Sequence, residues 1–152
     1  MGANVSSSAD QRNQVADLRA KKQLRRTPSG PRVSPFVQDN PRVTEIKSKD
    51  QWKARFNALK DSDKLLVIDF TAKWCGPCNS IEPKIEEFAA IYTNVEFVKI
   101  DVDALMGLSM KFNVNTLPAM VFMKRGQELD RVVGVNVDEL RSKIEKYMQP
   151  SY

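Results

Sequence analysis

The 152-residue chain has no histidine and only two cysteines. Without histidine, Ser-His and Cys-His nucleophile pairs and most metal-assisted hydrolysis are excluded. Two cysteines are too few for the disulfide framework of a small secreted fold. With no histidine beside them they also cannot close a four-ligand structural zinc site. No apolar run approaches the length of a membrane span, and the first residues lack the apolar core of a secretory signal. There is no internal repeat. Charge of one sign dominates only the first part of the chain. Residues 1–40 carry seven Lys/Arg against three Asp, whereas residues 41–152 carry seventeen basic against sixteen acidic groups. The net charge of +5 therefore says little about the remainder, and no nucleic-acid partner is expected.

What is present falls into two regions. Residues 1–42 read as a disordered basic extension, rich in Ser, Asn, Gln, Arg and Pro. Such a stretch cannot bury enough apolar surface to offset the entropy of ordering. Residues 43–152 read as one globular domain. Val43–Ile46 is a short strand. Asp50 is expected to cap a helix through Leu59, with Trp52, Phe56 and Leu59 at helical spacing. Leu65–Phe70 is nearly all apolar, as in a strand covered on both faces. A helix from Cys75 to Tyr92 follows, with Pro83 expected to kink it. Val95–Ile100 is a strand, and Ala104–Phe112 a short helix capped by Asp103. Met120–Met123 and Leu129–Val133 form a hairpin around Lys124-Arg125-Gly126-Gln127. Val137–Met148 closes the chain as an amphipathic helix. The order β-α-β-α-β-α-β-β-α implies an α/β fold, a central mixed sheet flanked by helices.

Both cysteines lie in Trp74-Cys75-Gly76-Pro77-Cys78, at the turn from an apolar strand into a helix. Two thiols separated by two residues can close into a disulfide and reopen. A helix start lowers a thiol's pKa, and the thiolate is the attacking species. The same spacing also suits a pair of buried structural cysteines. Asp69 is a carboxylate inside an apolar strand, where burial should raise its pKa and suit it to accept a proton. Taken alone it reads more readily as a satisfied, locally paired acid. Pro77 at an early helical position costs nothing, since its missing N–H has no intrahelical partner.

Val67-Ile68-Asp69-Phe70, the Trp74–Cys78 motif, Pro83, Phe97-Val98-Lys99-Ile100-Asp101-Val102-Asp103, Leu117-Pro118, Lys124-Arg125-Gly126 and Val133-Gly134 occur in one order and spacing. On these motifs residues 43–149 resemble thioredoxin. The opening Met1-Gly2-Ala3-Asn4-Val5-Ser6, the long tail and Asp130-Arg131-Val132-Val133-Gly134 are similar to plant h-type thioredoxins, in the second subgroup with N-terminal extensions. The resemblance implies the thioredoxin fold and a protein-disulfide reductase that needs no bound cofactor and no metal. Cys75 would be the nucleophile and the more exposed thiol, and Cys78 the resolving thiol. Gly76 and Pro77 would set the redox poise, Asp69 would shuttle a proton, and Lys99 would be its partner. Pro118 would be a cis-proline that presents the backbone of Leu117 to a partner strand. Trp74, Gly76, Pro77, Leu117, Val133 and Gly134 would form an apolar docking patch. Electrons would come from an NADPH- or ferredoxin-linked thioredoxin reductase and pass to target disulfides such as those of peroxiredoxins, within the cytoplasm. Two other readings stand beside this: a membrane-docked redox interaction module, and a disulfide oxidase or isomerase. Asn79, where Lys or Arg is frequent, and Thr71, where Trp or Ser is frequent, depart from the common pattern.

Gly2 and Ser6 satisfy the M-G-x-x-x-[ST] pattern for N-myristoylation. One myristoyl chain anchors only marginally, and Lys21, Lys22, Arg25 and Arg26 form a polybasic patch that supplies a second signal at an anionic membrane. The tail reads equally as an unmodified, solvated extension. An Arg-rich stretch over residues 12–32 also permits a mitochondrial targeting reading, against which Asp10 and Asp17 count.

Overall fold

A computed structural model describes residues 42–150 of the chain. The expected extension, Gly2 and the basic patch lie outside the described residues. The elements are β1 (Val43–Ile46), α1 (Lys49–Leu59), β2 (Leu66–Thr71), α2 (Gly76–Ile91), β3 (Glu96–Asp101), α3 (Met106–Lys111), β4 (Ala119–Lys124), β5 (Gln127–Val133) and α4 (Val137–Tyr147). Their order matches the sequence reading, with ends shifted by one or two residues.

The strands form one mixed sheet in the order β1-β3-β2-β4-β5. β1, β3 and β2 run parallel, and β4 and β5 are antiparallel additions. The central strands β2 and β4 are buried along nearly their whole length, because helices cover both faces. On one face Val67, Phe97, Met120 and Phe122 pack against Ile81, Ile85 and Phe88 of α2 and against Leu140 and Ile144 of α4. On the other, Ile68, Phe70, Val98 and Val121 pack against Trp52 of α1 and Leu108 of α3. Alternate residues of one strand thus enter opposite cores. This places Asp69, two residues after Val67, on the α2 face.

Two helix starts differ from the sequence reading. Asp50 does not cap α1. Ser48 does, its Oγ accepting from Gln51 N–H at 3.1 Å, while Gln51 Oε1 accepts from Lys47 N–H. Side chain and backbone thus satisfy each other around the helix start. Ser48→Ala is expected to cost about 1 kcal/mol, a fall in Tm of roughly 5 °C. Thermal unfolding checks it, and an unchanged Tm would mean that the Gln51 bond alone holds the turn. Nor does Asp103 cap α3, which starts after Leu105 with no side-chain cap. The reason lies upstream: Asp101 Oδ1 accepts from the N–H groups of Asp103 (2.8 Å) and Ala104 (3.4 Å). This local turn delays the helix.

α2 continues through Pro83, which cannot donate to the carbonyl of Asn79. The hairpin turns on Arg125 (φ 53°) and Gly126 (φ 77°), the left-handed pair that a two-residue turn between twisted strands requires. Lys124, read as part of that turn, ends β4 instead and is buried. Its Nζ donates to the carbonyls of Tyr147 (2.9 Å) and Gln149 (2.6 Å), so a cation closes the C-terminal end of α4.

Candidate active site: a disulfide at a helix start

Strand β2 delivers the chain into a turn, Cys75 N–H donating to the Ala72 carbonyl at 3.1 Å. Helix α2 then begins. Cys75 is its N-cap residue, Sγ accepting from Cys78 N–H at 3.2 Å, with Pro77 in the first turn. A sulfur at this position faces unpaired helical N–H groups and the positive end of the helix dipole, both of which favour negative charge on it. Cys75 and Cys78 are joined as a disulfide, packed with Ala72 and against Val102 and Leu117.

Cys75 was expected to be the more exposed thiol. In the oxidised chain both are buried and nearly alike, Cys75 4% and Cys78 3% exposed. The bond holds both sulfurs close together, and Leu117 and Val102 cover them. The two differ in what they face. Cys75 lines a groove of about 560 Å³, and Cys78 does not. Trp74, Gly76, Pro77 and Leu117 share this groove, so four of the six expected docking residues converge on Cys75. Trp74 is 71% exposed.

Pro118, Val133 and Gly134 stand beside the groove rather than in its lining. The Leu117–Pro118 peptide is cis, and Pro118 is buried behind Leu117. Gly134 N–H donates to the Pro118 carbonyl at 2.9 Å, tying the end of β5 to the proline. Gly134 has φ 93°, and a side chain there would meet open space. The backbone conformation, rather than crowding, is what calls for glycine. Val133 is half-exposed at the same edge.

The sequence reading missed the far wall of the groove: Val102, Asp103, Met106, Ser109, Val114 and Asn115. Asp103 is the informative one. Its Oδ2 accepts from Trp74 Nε1 at 2.7 Å, fixing the large exposed indole beside the disulfide. The run carrying Asp103 was visible as a motif, but nothing in it pointed to Trp74.

Asp69 is buried, 4% exposed, and its Oδ1 has no hydrogen-bond partner among the described residues. Burial first, and the charge of Glu82 second, push its pKa up to about 7, while Lys99 pulls the other way. Lys99 stands opposite Asp69 in the β2–β3 register, yet its Nζ bonds Glu82 Oε1 at 2.7 Å. Lys99 is therefore an electrostatic neighbour of Asp69 and a direct partner of Glu82, a residue the sequence reading passed over. Burial works against the Lys99 ammonium, but the Glu82 bond and charge outweigh it and hold its pKa above the usual lysine value. Asn79, the departure noted after Cys78, is exposed and donates through Nδ2 to the Lys73 carbonyl at 3.5 Å. Among the described residues no group of three or more His, Cys, Asp or Glu could hold a metal ion, and no helix is long and apolar enough to cross a membrane.

A family model described as Thioredoxin matches residues 43–146. The chain is 62% identical to Thioredoxin H8 of Arabidopsis thaliana over 149 residues, 98% of each chain. It is 47% identical to Thioredoxin H2 of the same plant, over 69% of this chain and 79% of that one. Among solved structures, the crystal structure of thioredoxin NaTrxh from Nicotiana alata superposes with a TM-score of 0.70 at 45% identity, covering 71% of this chain and 94% of that one. A poplar wild-type thioredoxin h gives a TM-score of 0.68 at 32% identity, covering 72% and 99%. With a redox-capable cysteine pair at the start of α2, the chain belongs to the thioredoxin family, the oxidoreductases of thiol–disulfide exchange.

Proposed function

We propose that the protein is a general protein-disulfide reductase. The observation that carries this reading is the Cys75–Cys78 disulfide at a helix start, with Cys75 alone of the pair facing the groove beside the exposed Trp74. In the reduced chain the Cys75 thiolate attacks one sulfur of a target disulfide. The target S–S bond breaks, its other sulfur leaves as a thiolate and takes a proton, and a mixed disulfide remains. Cys78 gives its proton to Asp69 and attacks Cys75 Sγ, and the second target sulfur leaves. Two electrons have then passed to the target, and the Cys75–Cys78 bond is restored. Family membership implies that a thioredoxin reductase reopens it; an NADPH- or ferredoxin-linked enzyme, and peroxiredoxins among the targets, complete the proposal.

The test is reduction of insulin disulfides with dithiothreitol as electron source. The full chain is expected to accelerate the reaction well above dithiothreitol alone. No acceleration would overturn the reductase reading in favour of a docking module or an oxidase.

The site of action is proposed to be the cytoplasm at a membrane surface, with a myristoyl group on Gly2 and the Lys21, Lys22, Arg25 and Arg26 patch as the second signal. The sequence pattern is what supports this. Gly2→Ala is expected to move the protein from the membrane to the soluble fraction of the cell. An unchanged distribution would sink the lipid anchor.

A further inference from the structure

We infer that Glu82 is a positioning residue for the exchange reaction: by occupying Lys99 and adding its own charge, it withholds a counter-ion from Asp69 and so sets the pH at which Asp69 exchanges its proton. The inference rests on the proposed role of Asp69 as proton acceptor for Cys78.

Glu82 lies on α2, one turn beyond Cys78. Its Oε1 takes the Lys99 ammonium at 2.7 Å, and both side chains are partly buried. Lys99 is in register with Asp69 on the neighbouring strand, the placement from which a lysine would otherwise reach the carboxylate. Asp69 Oδ1 stays buried and without a hydrogen bond among the described residues. The other groups facing this region do not replace the missing cation. On β1, Glu45 stands beside Lys99 in register and acts on it as a second anion. On β4, Met120 lies opposite Asp69. On α4, Leu140 and Ile144 contribute apolar surface to the same core. On α2, Cys78 is bound in the disulfide. Two anions therefore compete with Asp69 for one ammonium, and the better-solvated Glu82 holds it. An opposite charge close to a carboxyl favours its ionised form, and a like charge opposes it. Removing Glu82 shifts Asp69 the same way on both counts.

The experiment follows the carboxyl carbon-13 resonance of Asp69 against pH in the full oxidised chain, assigned by its disappearance in Asp69→Asn. In Glu82→Gln, and in Glu82→Ala as a second variant, the midpoint is expected to fall by about one pH unit from its position near 7. At pH 6 the ionised fraction would then rise about fivefold. The acid limb of single-turnover insulin reduction by the pre-reduced chain should move down in pH by the same amount. A purely structural loss would lower the rate without moving the limb. An unchanged midpoint in both variants overturns the inference. A midpoint that moves while the rate profile stays fixed also overturns it, and assigns the failure to Asp69 as proton acceptor rather than to the Glu82–Lys99 pair.

Discussion

Replacing Cys75 by serine is expected to reduce insulin-disulfide reduction to the rate of dithiothreitol alone. The chain holds two cysteines, and Cys75 is the one that lines the groove. Serine has nearly the same size and can still cap α2, so the fold should survive. Its hydroxyl, however, is hardly ionised at neutral pH, and an oxygen cannot form the mixed disulfide through which the electrons pass. Cys78 lies behind Cys75 and outside the groove lining, so it should not take over the attack. Cys78→Ser is expected to behave differently: attack continues, resolution fails, and a one-to-one covalent adduct with the target accumulates, to be released by excess dithiothreitol. Electrophoresis with and without reductant separates the two outcomes. Turnover retained in Cys75→Ser would sink the assignment of the nucleophile, and an adduct from Cys75→Ser in place of Cys78→Ser would reverse the two roles.

The second large effect concerns stability. Asp69 has a folded-state pKa of about 7 against an ordinary value of 3.8. Between these limits the folded chain keeps a proton that the unfolded chain has lost, so stability falls as pH rises from about 4 to about 7 and levels off above. Burial, the leading cause, makes the charged form the costly one. At about 1.4 kcal/mol per unit the cost reaches ~4 kcal/mol at most. Asp69→Asn removes the charge while keeping the side chain's size. Relative to wild type, the variant should gain stability at pH 8, by up to ~4 kcal/mol, and little at pH 4, where folded Asp69 is neutral and the pH is so close to the unfolded value of 3.8 that the proton difference has hardly accumulated. Urea unfolding of the oxidised chains at the two pH values measures the difference directly. An equal change at both would mean that Asp69 is not held neutral by its surroundings. The chain has no histidine, so the test is free of the residue that most often titrates in this range. The same substitution removes the proposed proton acceptor for Cys78, so the variant should be more stable and slower in resolution. That conjunction is expected where a buried carboxyl is retained for chemistry at a cost in stability.

The element order, the two-faced core and the cysteine motif were legible in the sequence because each is written over short distances. A strand buried on both faces is a continuous apolar run, as in Leu65–Phe70. An amphipathic helix repeats its apolar residues every three or four positions, as in Ile81, Ile85 and Phe88. A dithiol that closes over two intervening residues depends only on the turn that carries it. Where local signals competed, the reading slipped. Asp50 and Asp103 are good capping residues by type, but Ser48 and Asp101 stood nearer the points where the backbone turned. Lys124 looked like a turn lysine until the last carbonyls of α4, more than twenty residues away, were found around it.

By itself the sequence determined the fold class, the order of elements and the reactive pair, since hydrophobic period, turn residues and thiol spacing act within a few residues of one another. Tertiary structure alone decided which charge meets which and what surrounds the sulfur. Trp74 meets Asp103 across 29 residues, and Lys99 turns from Asp69 to Glu82 across 17. Charged and hydrogen-bonding side chains choose among all groups within a few ångströms, and that set exists only once the sheet has brought β2, β3 and α2 together.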